Sequence, residues 1–221
     1  MSEGIGEIHA ACNQLAHLGA ATVYEASGRE GLIDLPLTQV VPGSSVAGPA
    51  RTVLCAPGDN LMVHAGVASL QPGEVLVLAL AEPEPVALIG DLLATQAKVH
   101  GAAAILVCGA SRDVEELAAM GLPIWTRFVS MRGATKDGVG ELDVSVEVGG
   151  VTVEPGDPIV MDRDGAVVVR QARLAEVLAA SHSRLDRETA KRIKLQQGAF
   201  SYDLDGLRER VEKSSGLERP R

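Results

Sequence analysis

The stretch "GDLLATQAKVHGAAAILVCGASRDVEEL", residues 90–117, contains the pattern that decides the fold. It predicts a helix closed by Gly101, then the buried strand "AAAILVCG", then a second helix that begins near Asp113. The polar residues are concentrated where these elements meet loops, in Gly90-Asp91 and in Ser111-Arg112-Asp113. Helices and buried strands that alternate in this way are typical of an α/β layer fold.

The rest of the chain extends this pattern. Residues 1–30 are predicted to be helical, and strands and helices then alternate as far as "LPIWTRFV". The strand in "SVAGPARTVLCAP" is expected to be interrupted by Gly48-Pro49. From Leu142 the apolar residues alternate with period two, which predicts a β-meander. We predict a single domain over residues 1–221, with a C-terminal helix and tail over about 172–221.

Composition limits the possible classes of protein. In 221 residues, 46% are hydrophobic and 2% aromatic, so the core must consist of Ala, Val, Leu and Ile. The formal charge of −9 argues against nucleic acid as a partner. Cys12, Cys55 and Cys108 form no CxxC pair and are expected to be buried thiols, Cys108 included, rather than metal ligands or nucleophiles. No signal peptide and no apolar run of the ~20 residues that a membrane helix needs is visible, so we expect a cytoplasmic protein without a membrane partner.

The two polar junctions suggest a binding site for an anion. The first-turn N–H groups at Gly90, Leu92 and Leu93 can bind a carboxylate, and Asp91 can hold a water or act as a base. If the two preceding strands are neighbours, Arg112 reaches the same site, and Asp113 can ligate a hard divalent cation. A helix cap at each Asp and a local Arg-Asp ion pair remain the structural alternative.

Twenty residues separate Asp91 from Arg112-Asp113, and this pattern resembles the signature of the divalent-metal pyruvate aldolases. Those enzymes cleave 4-hydroxy-4-methyl-2-oxoglutarate and 4-carboxy-4-hydroxy-2-oxoadipate. The ordered segments "ATVYEASG", "PGDNLMVHAG", "WTRFVSMRGATK" and "VEPGDPIVMDRDGAVVV" extend the resemblance over most of the chain. It implies a single-domain α/β/β/α sandwich, similar to swivelling phosphohistidine domains. It also implies a homotrimer or homohexamer with active sites between subunits, and a C-terminal helix that packs on a neighbour.

The resemblance also implies a role for each matching residue. The small-molecule keto acid would bind to Gly90, Asp91, Leu92, Leu93, Arg112 and Asn60, with Asp91 orienting a proton-transferring water and Arg112 stabilising the enolate. Asp113 would bind Mg²⁺ or Mn²⁺ directly. From neighbouring subunits, Glu25 would share the proton-relay water and Glu188 would hold metal-bound waters. Without the resemblance, Asn60 is equally well a helix cap, Glu25 a solvated helix residue and Glu188 a member of a surface ion pair.

This interpretation carries further expectations and leaves some alternatives open. Oxaloacetate decarboxylation is expected as a side activity, and a Schiff-base mechanism through Lys98 is the competing enzyme mechanism. The regulators of ribonuclease E activity resemble the same segments without being enzymes, but the presence of Asp91 and Glu188 favours the aldolase. The basic segment "RGATK", with Arg132, Thr135 and Lys136, can form an anion pocket and is kept outside the catalytic set. The sequence does not choose between the two hydroxy-keto acids, or between Mg²⁺ and Mn²⁺.

Overall fold

The structure is a computed structural model that describes residues 2–215. Its helices are α1 (Ser2–Leu18), α2 (Ala20–Ala26), α3 (Leu61–Ser69), α4 (Asp91–Val99), α5 (Val114–Met120), α6 (Leu174–Gln196), α7 (Ser201–Leu204) and α8 (Leu207–Ser215). Its strands are β1 (Thr38–Gln39), β2 (Val46–Cys55), β3 (Val75–Leu80), β4 (Ala87–Ile89), β5 (Ala104–Ser111), β6 (Ile124–Val129), β7 (Glu141–Leu142), β8 (Val146–Val148), β9 (Val151–Val153), β10 (Pro158–Asp162) and β11 (Gly165–Val168).

The main sheet has the strand order β1-β6-β5-β3-β2-β10-β11. Its centre, β6-β5-β3-β2, is parallel, whereas β1, β10 and β11 pair antiparallel at the outside. Every residue of β3 and β5 is buried. Such strands are continuous apolar runs because both faces of a parallel sheet are covered. The short β4 pairs with the end of β5, β7 pairs with β2, and β8 and β9 form a separate hairpin.

Three apolar clusters show the layers. In the first, α3, α4 and α5 cover one face of the parallel sheet, where Val63 and Leu117 pack with Leu78 and Ile105. In the second, the β8–β9 hairpin and β10 cover the other face. In the third, α1, α2 and the start of α6 pack on the outside of β10 and β11. The expected α/β/β/α layering is therefore confirmed.

The predicted interruption of β2 at Gly48-Pro49 is wrong. The strand is continuous but changes partners at this point: Val46 to Pro49 pair antiparallel with β10, and the residues from Ala50 onward pair parallel with β3. A Cβ on Gly48 would lie 2.3 Å from the carbonyl oxygen of Gly73, so this position needs a glycine for close approach. Gly48-Pro49 thus marks an exchange of neighbours within one strand.

The predicted β-meander after Leu142 is also wrong as a single unit. β7 joins β2, β8 and β9 form their own hairpin, and β10 and β11 join the edge of the main sheet. Period-two alternation shows which face of a strand is buried, but it does not identify the neighbouring strand. The short elements β4, α7 and α8 were not predicted from the sequence.

The chain divides into two compact units, one ending at Ser181 and one beginning at His182. The first contains the whole main sheet, and the second contains the later part of α6 together with α7 and α8. Residues 216–221 of the expected tail lie outside the described residues, and the packing of the C-terminal helix on a neighbouring subunit stays a prediction. Within residues 2–215, no helix is both long enough and apolar enough to span a membrane.

We predict that the three thiols do not react with a disulfide reagent in the folded protein at pH 8. All three are free and buried. Burial raises the pKa of Cys12 to about 11 and of Cys108 to about 12, and burial together with the Asp59 charge raises that of Cys55 to about 12. The thiolate is the reactive form, so labelling must wait for unfolding. Thiol titration with and without denaturant measures this, and rapid labelling of Cys108 in the folded protein would contradict it.

Candidate functional site

The pairing of β4 with β5 brings the two polar junctions together. The strands run parallel with Ile89 aligned with Ser111, so the residues that follow each strand are neighbours. The N–H of Arg112 donates to the carbonyl oxygen of Ile89 at 3.1 Å. Since the carboxyl ends of parallel strands meet at one edge of a sheet, Gly90-Asp91 and Arg112 face the same space. The convergence expected from the sequence is present.

The start of α4 presents backbone N–H groups, here called the amide cradle (the amides of Asp91, Leu92 and Leu93). Gly90 is the N-cap and has no side chain to satisfy them. The Asp91 amide donates to Oδ2 of Asp113 at 3.2 Å. The amides of Leu92 and Leu93 have no acceptor among the described residues. Free amides in the first turn, at the positive end of the helix dipole, bind anions.

Arg112 and Asp113 lie beside the amide cradle. Asp113 has φ 57°, a left-handed conformation that is uncommon outside glycine and that is found at functional sites. Its Oδ2 is 3.5 Å from Nε of Arg112, and the Arg112 and Asp113 side chains are 49% and 35% exposed. An ion pair this exposed contributes about 0–1 kcal/mol to stability. A ligand can therefore reach both charged groups and replace their ion pair with little loss of stability.

Gly90 permits the close approach of these groups. A Cβ at this position would lie 2.4 Å from Oδ2 of Asp113 and 3.1 Å from Cγ and Nε of Arg112. Its φ of −140° is extended backbone that any residue adopts. The glycine is therefore needed for space and not for its conformation.

A cavity of about 160 Å³ opens at this point. It is lined by Asn60, His64, Ala87, Ile89, Gly90, Asp91, Leu92, Leu93, Arg112, Ala134 and Lys136. All the residues predicted to bind substrate thus lie around one cavity. Asp113 borders it through its contacts with Asp91 and Arg112.

Asn60 contributes a buried acceptor. Its side chain is 9% exposed, and its Nδ2 donates to the carbonyl oxygen of Leu88 at 3.1 Å. Oδ1 is buried and has no partner in the described part of the chain. Because a carbonyl oxygen accepts only, the amide nitrogen has to face Leu88, and this fixes the orientation of Oδ1. Asn60 is the N-cap residue of α3 by position, as the alternative expected, but its side chain makes no capping hydrogen bond to the helix.

Asp59 supplies the side-chain cap of α3. It is 2% exposed, and its Oδ1 accepts from the Leu61 amide at 2.7 Å. Its Oδ2 accepts from Thr135 Oγ1 at 2.6 Å, the Asp137 amide at 2.7 Å and the Gly138 amide at 3.0 Å. Burial alone would raise the pKa of Asp59, but these hydrogen bonds outweigh burial and hold the pKa well below its ordinary value.

Two basic side chains in the cavity were not assigned to the site from the sequence. Lys136, expected in an anion pocket near the site but outside the catalytic set, lines the cavity, and so does His64. Arg132 is exposed and outside the lining, and the Thr135 hydroxyl is bonded to Asp59. Lys98 also lies outside the lining, since its Nζ donates to the carbonyl oxygen of Met120 at 2.6 Å.

The two predicted glutamates do not line the cavity. Glu25 is in α2, where Nε of Arg29 lies 3.2 Å from its carboxylate. Glu188 is in the second unit, where Nε of Arg184 lies 2.8 Å from its carboxylate. Both roles were predicted to act from a neighbouring subunit, so both stay predictions.

Asp113 is the candidate ligand for a metal. Among the described residues, no three His, Cys, Asp or Glu side chains lie together in a way that would hold an ion. This excludes a structural zinc type of site in that part of the chain, because such sites use four protein ligands. One partly exposed carboxylate beside a cavity fits Mg²⁺ or Mn²⁺, which keep several waters and bind through one or two carboxylates.

Comparisons with known proteins identify relatives along most of the chain. The family profile described as "RraA-like: Aldolase/RraA" matches residues 20–168. A protein of Halalkalibacterium halodurans named "Putative 4-hydroxy-4-methyl-2-oxoglutarate aldolase" is 34% identical over 187 residues, which cover 83% of this chain and 86% of that protein.

Solved structures with the same fold have different names. A Geobacillus kaustophilus protein described as S-adenosylmethionine:2-dimethylmenaquinone methyltransferase is 32% identical with a TM-score of 0.63, covering 70% of this chain and 96% of its own. Streptomyces coelicolor RraAS2, described as an unusual member of the RNase ES inhibitor RraA protein family, is 29% identical with a TM-score of 0.69. The match covers 82% of this chain and 95% of RraAS2. Activity therefore has to be argued from the site of this chain.

We predict that Gly90→Ala abolishes the binding of pyruvate while stability changes by less than about 1 kcal/mol. The new Cβ displaces the exposed side chains of Asp113 and Arg112 but leaves the backbone unstrained. Gly133→Ala is the matched control, because its Cβ would meet Nη1 of Arg112 at an ordinary 3.6 Å. Calorimetric titration with pyruvate and Mg²⁺ measures the affinity of each variant, and thermal unfolding measures its stability. Undiminished binding by Gly90→Ala would contradict the proposed crowding.

Proposed function

This chain belongs to the RraA-like family, and we propose that it is a metal-dependent pyruvate aldolase, a carbon–carbon lyase. The proposed substrates are 4-hydroxy-4-methyl-2-oxoglutarate and 4-carboxy-4-hydroxy-2-oxoadipate, which yield pyruvate and a second keto acid, pyruvate or oxaloacetate. One observation carries the proposal: the amide cradle and Arg112 line a single cavity, and the Asp113 carboxylate contacts both the Asp91 amide and the Arg112 guanidinium. The name of the Halalkalibacterium halodurans relative supports the same class of reaction.

The pyruvyl half of the substrate carries a carboxylate and a 2-keto oxygen. The free amides of Leu92 and Leu93 bind the carboxylate, and the positive end of α4 favours its charge. Arg112 donates from its planar guanidinium to the substrate oxygens. This fixed positive charge stands where negative charge develops on the keto oxygen during cleavage, and a preorganised donor of this kind accelerates the reaction.

The donor set of the site fits a divalent cation held by Asp113, with waters and substrate oxygens as its other ligands. When bound, Mg²⁺ or Mn²⁺ supplies Lewis-acid polarisation of the 2-keto acid. In the proposed assembly, a homotrimer or homohexamer, Glu188 of a neighbouring subunit holds waters of this cation. The Arg112 side chain, with Nε 3.5 Å from Oδ2 of Asp113, helps to orient this carboxylate.

The remaining half of the substrate carries the C4 hydroxyl, which must lose its proton for the carbon–carbon bond to break. Asp91 lines the cavity and orients a water that accepts this proton and later returns one to the pyruvyl carbon. Glu25 of a neighbouring subunit shares that water. The buried Oδ1 of Asn60 accepts a hydrogen bond from the substrate hydroxyl, which explains why a 9% exposed amide has an unused acceptor.

The same charge stabilisation serves decarboxylation of oxaloacetate, in which carbon dioxide leaves in place of the second keto acid. The substrate then needs only the amide cradle, Arg112 and the cation. We therefore propose oxaloacetate decarboxylation as a side activity.

A Schiff-base lysine is the alternative enzyme mechanism. Lys98 is not available for it, because its Nζ is bonded to Met120 outside the cavity lining. Lys136 is in the cavity and would have to be the reacting lysine. Borohydride treatment with pyruvate distinguishes the mechanisms, since only a Schiff base gives a stable adduct at a lysine.

A second candidate function is binding and inhibition of ribonuclease E. The likeness to RraAS2, which is described as a member of the RNase ES inhibitor family, favours it. A regulator of this kind needs a protein-binding surface and no bound keto acid. The two functions therefore differ in whether the isolated protein releases pyruvate.

We predict that the protein releases pyruvate from both hydroxy-keto acids and from oxaloacetate, and that EDTA stops the release. Pyruvate is measured by coupling to lactate dehydrogenase. Excess Mg²⁺ or Mn²⁺ added after EDTA restores the rate, which controls for an effect on the coupling enzyme. No EDTA-sensitive release from any of the three substrates would reject the aldolase and leave the ribonuclease regulator.

Arg112→Ala is predicted to lower kcat on the order of 100- to 1000-fold, since removal of one preorganised donor costs this much. Arg112→Lys keeps the charge but loses the planar pair of donors, and we expect it to recover only part of the rate. Arg163→Ala, an exposed arginine outside the cavity lining, is the control. An Arg112→Ala protein as active as the Arg163→Ala control would remove Arg112 from the mechanism.

Asp113→Asn and Asp113→Ala are predicted to lose both turnover and binding of Mn²⁺. Asn is the more informative replacement, because it keeps the shape of Asp and tolerates the left-handed backbone at φ 57°. Mn²⁺ binding is measured by electron paramagnetic resonance, independently of catalysis. Retained activity in a metal-repleted Asp113 variant would show that the ion is held elsewhere.

A further inference from the structure

The cavity also has a group of lining residues of which the proposed chemistry uses only Asn60. This group is here called the loop wall and consists of Asn60, Ala134 and Lys136. Asn60 stands at the start of α3, whereas Ala134 and Lys136 belong to the loop that follows β6. These segments are more than seventy residues apart in sequence. Some specific interaction has to hold them together.

Asp59 is the group that connects them. Its Oδ1 binds the first amide of α3, and its Oδ2 receives three donors from the loop: the Thr135 hydroxyl and the Asp137 and Gly138 amides. Thr135 lies between Ala134 and Lys136, so the carboxylate contacts the loop at the centre of the wall. Two backbone hydrogen bonds run alongside, from Asn60 N to Thr135 O at 3.0 Å and from Thr135 N to Gly58 O at 2.9 Å.

The donors around Asp59 require a charged carboxylate. Three of its four partners are backbone N–H groups, which can only donate, and the fourth is the Thr135 hydroxyl, which donates to Oδ2. They hold its pKa below the ordinary value in spite of burial. A buried carboxylate that is used completely as an acceptor fixes its neighbours strongly, because each donor would otherwise be unpaired. Asp59 itself does not line the cavity.

We propose that Asp59 is a positioning residue that holds the loop wall in place for the part of the substrate beyond the pyruvyl group, and so determines which C4 substituents are accepted. This inference rests on the proposed aldolase function. Within residues 2–215, neither the amide cradle nor Arg112 is hydrogen-bonded to Asp59 or to the groups that donate to it. Binding of the pyruvyl half is therefore independent of Asp59, and discrimination among whole substrates depends on it.

The variant that tests this is Asp59→Asn, which has the same shape. When the NH₂ group of the new side chain takes the place of Oδ2, it faces the Thr135 hydroxyl and the Asp137 and Gly138 amides, which are donors themselves. The hydrogen bonds that attach the loop to residue 59 are then lost. Asp157→Asn is the matched control. Asp157 is also buried, and its carboxylate accepts hydrogen bonds from the Glu154 and Gln171 amides and from the Arg170 guanidinium. It is located near Ala50, at the opposite end of the β2–β3 pairing from Asp59, and does not line the cavity.

For Asp59→Asn we expect kcat/KM for both hydroxy-keto acids to fall about 100-fold, the usual effect of a misplaced positioning group. Oxaloacetate decarboxylation and inhibition by oxalate, which use only the pyruvyl side, change by less than about fivefold. Asp157→Asn changes aldol cleavage and decarboxylation by the same factor, as a general effect on stability would. Equal losses of both activities in Asp59→Asn, or no loss of either, would overturn the proposal.

Hydrogen exchange provides a reading that does not depend on the reaction. The Asp137 and Gly138 amides should exchange at least tenfold faster in Asp59→Asn than in the wild-type protein. In Asp157→Asn, the exchange rates of these two amides should equal those of the wild-type protein. If the wild-type protein cleaves neither hydroxy-keto acid, the proposed function fails. Faster loop exchange would then still support the role of Asp59 in holding the wall, and unchanged exchange would reject that role as well.

Discussion

The site depends on one short alignment of strands. β4 has three residues, and its pairing with the end of β5 sets Ile89 opposite Ser111, so that the loops after both strands open together. The first helix turn after β4 then provides free amides, and the loop after β5 provides a guanidinium and a carboxylate. Gly90 allows the two loops to approach because it has no Cβ to meet Asp113. A displacement of this pairing by one residue would separate the groups, since side chains alternate between the faces of a strand.

The rest of the fold keeps this arrangement rigid. β3 and β5 are buried along their whole length, and their apolar side chains are covered by helices on one side and by β8, β9 and β10 on the other. Within these two strands the one hydroxyl side chain, Ser111, stands at the strand end, and the charged groups of the site follow it in the loop. The left-handed backbone of Asp113 and the unpaired oxygen of Asn60 are local costs that a stable core can support.

Sequence reasoning identified the junction residues but not what holds them. Asp91, Arg112 and Asp113 follow or precede long apolar segments, whose periodicity is a strong signal, and their meeting point was correctly predicted. β4 was missed because three residues after a Pro-rich stretch carry no measurable periodicity. The role of Asp59 could not be predicted, because its partner Thr135 is distant in sequence and hydrogen bonds of this kind leave no local pattern. The position of Lys136 in the cavity lining was missed for the same reason, since it follows from the contact of the neighbouring Thr135 with Asp59. The roles of Glu25 and Glu188 stay predictions, because both were expected to act from a neighbouring subunit.

The central claim is that one cavity holds both the keto acid and the cation, on the amide cradle and on Asp113. A crystal structure of the protein with Mn²⁺ and oxalate, in which the anomalous signal locates the metal, tests it most directly. The account predicts a manganese peak at the Asp113 carboxylate and an oxalate that accepts from the Leu92 and Leu93 amides and from Arg112. A metal bound at another place, or an oxalate away from the start of α4, would contradict it.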